Sequence, residues 1–204
     1  MRDEKRSLRQ QQIEDAAYKV LEAKGYGGTS MQGIAKAARA SNETLYSWYG
    51  DKRGLFQALV TRNAAEVREH LEAELRTGHD ALTILATLGP KLLDLLTGDR
   101  AVALNRAAAA DSSGELGATL STAGREAVFP LLEQVLCRAR DEGHLTFDET
   151  GEAVGLYLDL LIGDLQIRRA IGRQPRPSQA ARTARAERAV RHLRVLLAPE
   201  NRSP

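Results

Sequence analysis

Apolar residues recur at helical spacing along most of this chain, and where the spacing fails, helix-stopping residues stand. Ile13, Ala17, Val20 and Leu21 form one stripe, with Gly25 placed to end it. Met31, Ile34, Ala35 and Ala38 form a second, and Leu45, Trp48 and Tyr49 a third, parted by a break at Arg39-Ala40. Two apolar faces this short do not persist alone, so the pattern predicts three helices packed on one another. Asp51 is the expected N-cap of a fourth helix through Phe56, Leu59, Val60, Asn63, Val67 and Leu71 to a stop at Thr77-Gly78. At 1.5 Å per residue it would be about 35 to 40 Å long, enough to join a small head to a larger body.

Beyond Gly78, breaks at Gly89-Pro90, Gly98-Asp99, Asp111-Ser112-Ser113-Gly114, Gly143 and Arg173 to Pro177 are expected to cut the body into helices. Pro130 falls inside a helical run and should kink it or mark its first turn. The stretch from Val154 to Ile167 is apolar nearly all round, which predicts burial on more than one side, and Gly151, Gly155 and Gly163 would permit close helix approach. The last helix carries Ala186, Ala189, Val190, Leu193, Leu196 and Leu197 at helical spacing, flanked by Arg182, Arg185, Arg188, Arg191 and Arg194. No strand alternation stands out. The predicted class is all-α: a three-helix helix-turn-helix head, residues 1–54, joined by a long helix to a larger helical domain, residues 55–204.

Composition agrees: 43% hydrophobic with only 4% aromatic, rich in Ala, Leu and Arg, suits helices better than sheets. The net charge of +2 is unevenly spread: Lys and Arg outnumber Asp and Glu by 10 to 7 in residues 1–54 and by 10 to 2 in residues 165–204, but are outnumbered 18 to 9 between. A basic head suits phosphate contact, and an acidic body discourages collapse onto DNA. A single cysteine, Cys137, makes no intrachain disulfide and fits a reducing compartment. No apolar run is long enough to span a bilayer, and MRDEKRSLRQ has no apolar segment after its charges, so a soluble, cytoplasmic protein without membrane association is expected.

The segment from Met31 to Phe56 has the layout of a DNA-reading helix-turn-helix. With Gly25, Thr29-Ser30, Ile34-Ala35, Ser41, Thr44-Leu45-Tyr46, Tyr49 and Lys52 to Phe56, it resembles the DNA-binding head of the TetR family of bacterial transcriptional regulators, from about Ser7 to Leu59. The chain departs from that family at Arg39, where the turn usually has Gly, and at Asn42-Glu43, where Lys or Arg with Gly is usual. Arg39 implies strain or a differently shaped turn, because a residue with a Cβ is crowded at positive φ. Asn42 and Glu43 change the base-reading chemistry.

The resemblance places Thr44, Tyr46 and Lys52 on the DNA backbone, for which two hydroxyls and an ammonium are suitable donors; capping and packing is the competing role for Thr44 and Tyr46. Thr29 or Ser30 caps the helix before the turn, whose free N–H groups suit a phosphate. Ser41, Asn42 and Glu43 occupy the first turn of the recognition helix; Asn reads adenine, and Glu either accepts from cytosine or serves only the helix dipole. Tyr49 is open between core and phosphate, and Trp48 is assigned to packing. Ser7 and Gln10 are spaced as a capping box, and Arg2, Lys5, Arg6 and Arg9 form either an arm to phosphate or a frayed end.

For the body, the resemblance, loosely to the AefR-type C-terminal domain, implies an effector-binding and dimerisation role. The two C-terminal helices would pair with their copies through Gly155, Gly163, Ile167, Ala189, Leu193, Leu196 and Leu197. A mainly apolar effector cavity is expected from Leu85, Leu88, Leu92, Leu96, Leu104, Phe129, Leu132, Leu136, Tyr157 and Leu161, with Asn105 and Tyr157 as polar handles; plain bundle core is the alternative. The implied function is a homodimeric repressor on double-stranded operator DNA, released by a small molecule. A second reading keeps DNA binding and makes the body a protein-docking module; a third makes the head vestigial, against which Thr44, Tyr46 and Lys52 stand together. Catalysis is not expected, nor a cofactor or metal: His70, His79, His144 and His192 are scattered, and no phosphate-cradling glycine loop or nucleophile elbow occurs.

Overall fold

A computed structural model describes residues 2–199. Among them the regular structure is helical, with no strand: α1 (Arg2–Lys24), α2 (Met31–Ala38), α3 (Asn42–Tyr49), α4 (Lys52–Leu75), α5 (Ala81–Thr97), α6 (Asp99–Ala109), α7 (Glu115–Leu120), α8 (Glu126–Asp141), α9 (Thr150–Ile162), α10 (Leu165–Ala170) and α11 (Gln179–Leu196). A π-helical turn, Ser121–Arg125, leads into α8. Met1, the Arg2 side chain of the expected arm, and residues 200–204 lie outside the described residues.

The chain forms two compact units: residues up to Asn63 with Asp99–Gly124, and Ala64–Gly98 with the chain from Arg125 on. The first is wider than the head drawn at residue 54. Ala103, Leu104 and Ala107 of α6 and Leu116 of α7 join the core made by Ile13, Leu21, Ile34, Leu45, Phe56 and Leu59. Charges fasten the same unit. Glu14, only 8% exposed, accepts from Arg62 at 2.9 Å, and Arg100 of α6 reaches Asp15 at 2.8 Å. A carboxylate this buried requires its cation. Tyr18 donates to the Leu59 carbonyl at 2.5 Å, and burial pushes its phenol pKa well up.

The second unit packs α5 against α11, α8 and α9. The expected break at Gly89-Pro90 is absent, since α5 runs unbroken through both. A Cβ on Gly89 would come to 2.5 Å from the Ala186 Cβ of α11, so this glycine serves close packing rather than a turn. Pro130 sits in the first turns of α8, just after the π-turn. A proline ring crowds the carbonyl four residues back, here Glu126, and the ladder widens immediately before that residue. The apolar stretch from Val154 to Ile167 is divided at Gly163, which ends α9 at φ +50. Arg185 of α11 caps that end by donating to the Leu161 and Ile162 carbonyls. Arg169 does the same for α5 through the Thr97 carbonyl at 2.9 Å.

Candidate nucleic-acid interface

The α2–α3 hairpin is built by caps that the sequence names. Ser30 caps α2, its hydroxyl accepting from Gly33 N at 3.1 Å, and Ser41 caps α3, accepting from Thr44 N at 3.0 Å. The Ser41 and Thr44 hydroxyls also share a hydrogen bond of 2.8 Å. Between the helices, Arg39 N donates to Lys36 O and Ala40 N to Ala35 O, the bonding of a Schellman motif. Arg39 occupies its left-handed position at φ +50, the only non-glycine at positive φ among the described residues. A Cβ there costs about 1–2 kcal/mol.

On α3, Leu45 is fully buried while Asn42, Glu43 and Tyr46 face solvent, Tyr46 with 53% of its surface exposed. One face holds the helix to the core, and the other offers an amide, a carboxylate and a phenol to a partner. Trp48 is partly buried against the same core, as expected, with the Arg6 guanidinium 5.6 Å from its ring centre.

Three expected contact residues turn inward. Thr29 is 6% exposed, and its hydroxyl donates to the Gly25 carbonyl at 2.7 Å, so it shapes the α1–α2 loop and leaves the cap to Ser30. Tyr49 donates to Glu14 at 3.3 Å; burial first, then the nearby carboxylate, pushes its pKa up. Lys52 donates to the Tyr26 and Thr29 carbonyls at 2.9 and 3.0 Å and lies 4.0 Å from the Tyr26 ring centre, so one of its three N–H groups remains for another acceptor. Its spacing in the sequence gives no hint of this inward hold, because the loop it grips lies 23 and 26 positions earlier.

In the second unit the expected effector lining is only partly assembled. Leu85, Leu88, Leu92, Leu132, Leu136, Tyr157 and Leu161 belong to its core, with Leu96 and Phe129 partly buried at the edge. Leu104 is instead in the first unit's core, and the Asn105 amide bonds its own helix at Ala101 O, 2.8 Å away. Both belong to the first unit, because the chain leaves the second unit at Asp99. Tyr157 is fully buried and donates to Leu85 O at 2.9 Å.

The residues expected at the dimer surface divide. Ile167 and Leu196 are 63% and 60% exposed, Gly155 has open space where a Cβ would stand, and Leu197 is partly buried. Ala189 and Leu193, at 1% and 0% exposure, point into the unit's own core, as their spacing with Ala186 and Val190 allows. Gly163 is a helix cap. Asp80, Glu142 and His144 bring potential metal donors within 4.8 Å of one another, a grouping hidden by sequence distance. Their oxygens already serve as caps: Asp80 accepts from Thr83 N, and Glu142 from Ala81 N.

The family model of the AefR-like transcriptional repressor C-terminal domain matches residues 83–195, and that of bacterial regulatory proteins of the tetR family matches residues 13–59. The chain belongs to the TetR family. A TetR transcriptional regulator from Agrobacterium tumefaciens is 31% identical, over 94% of this chain and 95% of that one, with a TM-score of 0.72. The structure of the flavonoid-responsive regulator FrrA is 25% identical, over 95% and 99% of the two chains, at a TM-score of 0.69. The fatty acid metabolism regulator protein of Bacillus subtilis (strain 168) is 29% identical over 93 residues, 46% of this chain and 48% of that protein. The match therefore spans about half of the curated relative's length. This TetR-family protein is a DNA-binding transcriptional regulator and not an enzyme, and among the described residues no single helix is long and apolar enough to cross a membrane.

Proposed function

We propose that this TetR-family regulator is a homodimeric repressor whose two α3 helices enter successive major grooves of operator DNA, and that a mainly apolar small molecule in the second unit releases it. The observation that carries the DNA half is the outer face of α3, where Asn42, Glu43 and Tyr46 stand free of the core beside the Ser41–Thr44 cap. Asn42 and Glu43 suit base edges in the major groove, and Ser30, Thr44, Tyr46 and the remaining donor of Lys52 suit phosphates. Dimerisation is supported by Ile167, Ile171, Val195 and Leu196, large apolar side chains left exposed on and beside α10 and α11. Repression follows the AefR-like domain, and release by an apolar ligand follows relatives named for flavonoids and fatty acid metabolism.

The release step requires the ligand to prefer a conformer that fits DNA poorly, and that preference alone sets its strength. It is tested with the full-length protein on a duplex selected from a random-sequence pool, titrated with long-chain acyl-CoA and with flavonoids. One class is expected to dissociate the complex, and Leu96→Trp or Phe129→Trp, at the edge of the core, is expected to block release while leaving DNA binding intact. A complex that survives saturating amounts of both classes would contradict the release step.

A further inference from the structure

The carbonyl of Arg39 has an unusual partner. The Schellman motif at the end of α2 uses the Arg39 and Ala40 N–H groups, and the α3 cap uses Ser41, which leaves the Arg39 carbonyl at the bend between the two helices. Arg9, thirty residues earlier on α1, donates to it at 2.6 Å, while the other arm of the guanidinium is fixed on Gln12 Oε1 at 2.9 Å. One turn before, Arg6 of the same helix stands over Trp48 of α3.

We infer that Arg9 is a positioning residue for DNA recognition: it holds the strained α2–α3 turn in the conformation that aims α3. The direction in which the chain leaves Arg39 is set by the orientation of the Arg39–Ala40 peptide, and a hydrogen bond to its carbonyl opposes rotation of that plane directly. The hold matters here because Arg39, at φ +50 and ψ 44, lacks the ease with which glycine keeps a left-handed turn. The sequence left Arg9 open between an arm to phosphate and a frayed end, and its guanidinium acts instead on the turn. A fork with two donors, one anchored on its own helix, fixes a carbonyl's direction better than a mobile ammonium does.

The inference rests on α3 as the base-reading helix, and the test separates the two. Full-length variants are titrated with the duplex selected by the wild type and with a shuffled duplex of equal length, across a salt series. Arg9→Ala is expected to weaken the selected duplex about 10-fold, as one lost base contact would, with the shuffled duplex and the salt slope unchanged. Arg39→Gly in the Arg9→Ala background is expected to recover most of that loss, because glycine holds the turn unaided. Arg9→Lys, which keeps charge and a donor, is expected to fall between and covers the case in which Arg9→Ala unfolds. A salt slope shallower by about 1, with equal loss on both duplexes, would make Arg9 a phosphate contact and overturn the inference. So would an unchanged Arg9→Ala, or a double variant no better than the single. If α3 does not read bases, Asn42→Ala with Glu43→Ala leaves the ratio of selected to shuffled affinity unchanged, whatever Arg9 does.

Discussion

At the first turn of α4 the Lys52 ammonium commits two of its three N–H groups to the carbonyls of Tyr26 and Thr29, beneath the Tyr26 ring. It therefore holds the loop that presents the Ser30 cap, and one donor remains for another acceptor. Hydrogen bonds from a charged donor contribute about 1.5–3 kcal/mol, so Lys52→Ala is expected to lower unfolding stability by roughly that amount as well as weaken DNA binding. Urea unfolding of wild type and variant checks it; equal stability would mean that the two carbonyl bonds carry no weight. Ser30, Ser41 and Asp51, whose carboxylate accepts from Gly54 N at 2.7 Å, were legible as caps because the residue type and its distance from an apolar stripe suffice. The inward turn of Tyr49 and Lys52 was not, since each answers to a partner set by tertiary packing, and nothing in the residue type told which of Thr29 and Ser30 would cap α2 and which would turn back to Gly25.

The helices were legible where an apolar stripe and a stop signal agree, as in α2, α3 and the start of α4. Gly89-Pro90 misled because a turn and a close helix approach place the same residue, and only the Ala186 methyl distinguishes them. α6 and α7 offered no stripe that tells one core from another. The start of α5 permits a test at this scale. Asp80 accepts from the Thr83 hydroxyl at 2.5 Å and from Thr83 N at 3.1 Å, and these bonds, the hydroxyl first, hold its pKa below the usual value of 3.8. A carboxylate whose folded pKa is depressed contributes stability above its unfolded pKa and loses it as pH falls through the lower, folded value. Asp80→Ala is expected to cost about 1 kcal/mol at neutral pH, a difference that shrinks once the pH drops below the ordinary Asp range. Melting temperatures at pH 7 and near pH 3 decide; a gap that stays constant would contradict the role of the charged cap.

For the whole molecule, the resemblance implied that the two C-terminal helices pair with their copies, through residues that do not share one exposed face. Ala189 and Leu193 proved to be core, whereas Ile167 and Leu196 are exposed, because a helix with apolar residues on two sides gives no preference between its neighbours. Ile167→Asp with Leu196→Asp is expected to give folded monomers in sedimentation, with operator affinity lost for want of the second half-site. Leu193→Asp is expected to unfold the second unit instead, as a buried unpaired charge does. A double variant that still sediments as a dimer would move the interface elsewhere.

The central claim is that α3 reads DNA through its outer face, and fluorescence anisotropy of a labelled, selected duplex with the full-length protein tests it most directly. Replacing Asn42, Glu43 and Tyr46 together by Ala leaves the buried Leu45 and the Ser41 cap in place. The account predicts that the triple variant keeps the wild-type melting temperature to within a few degrees, since surface changes are usually within about ±0.5 kcal/mol each, and binds the selected duplex no better than a shuffled one. A triple variant that still prefers the selected duplex as the wild type does would contradict it.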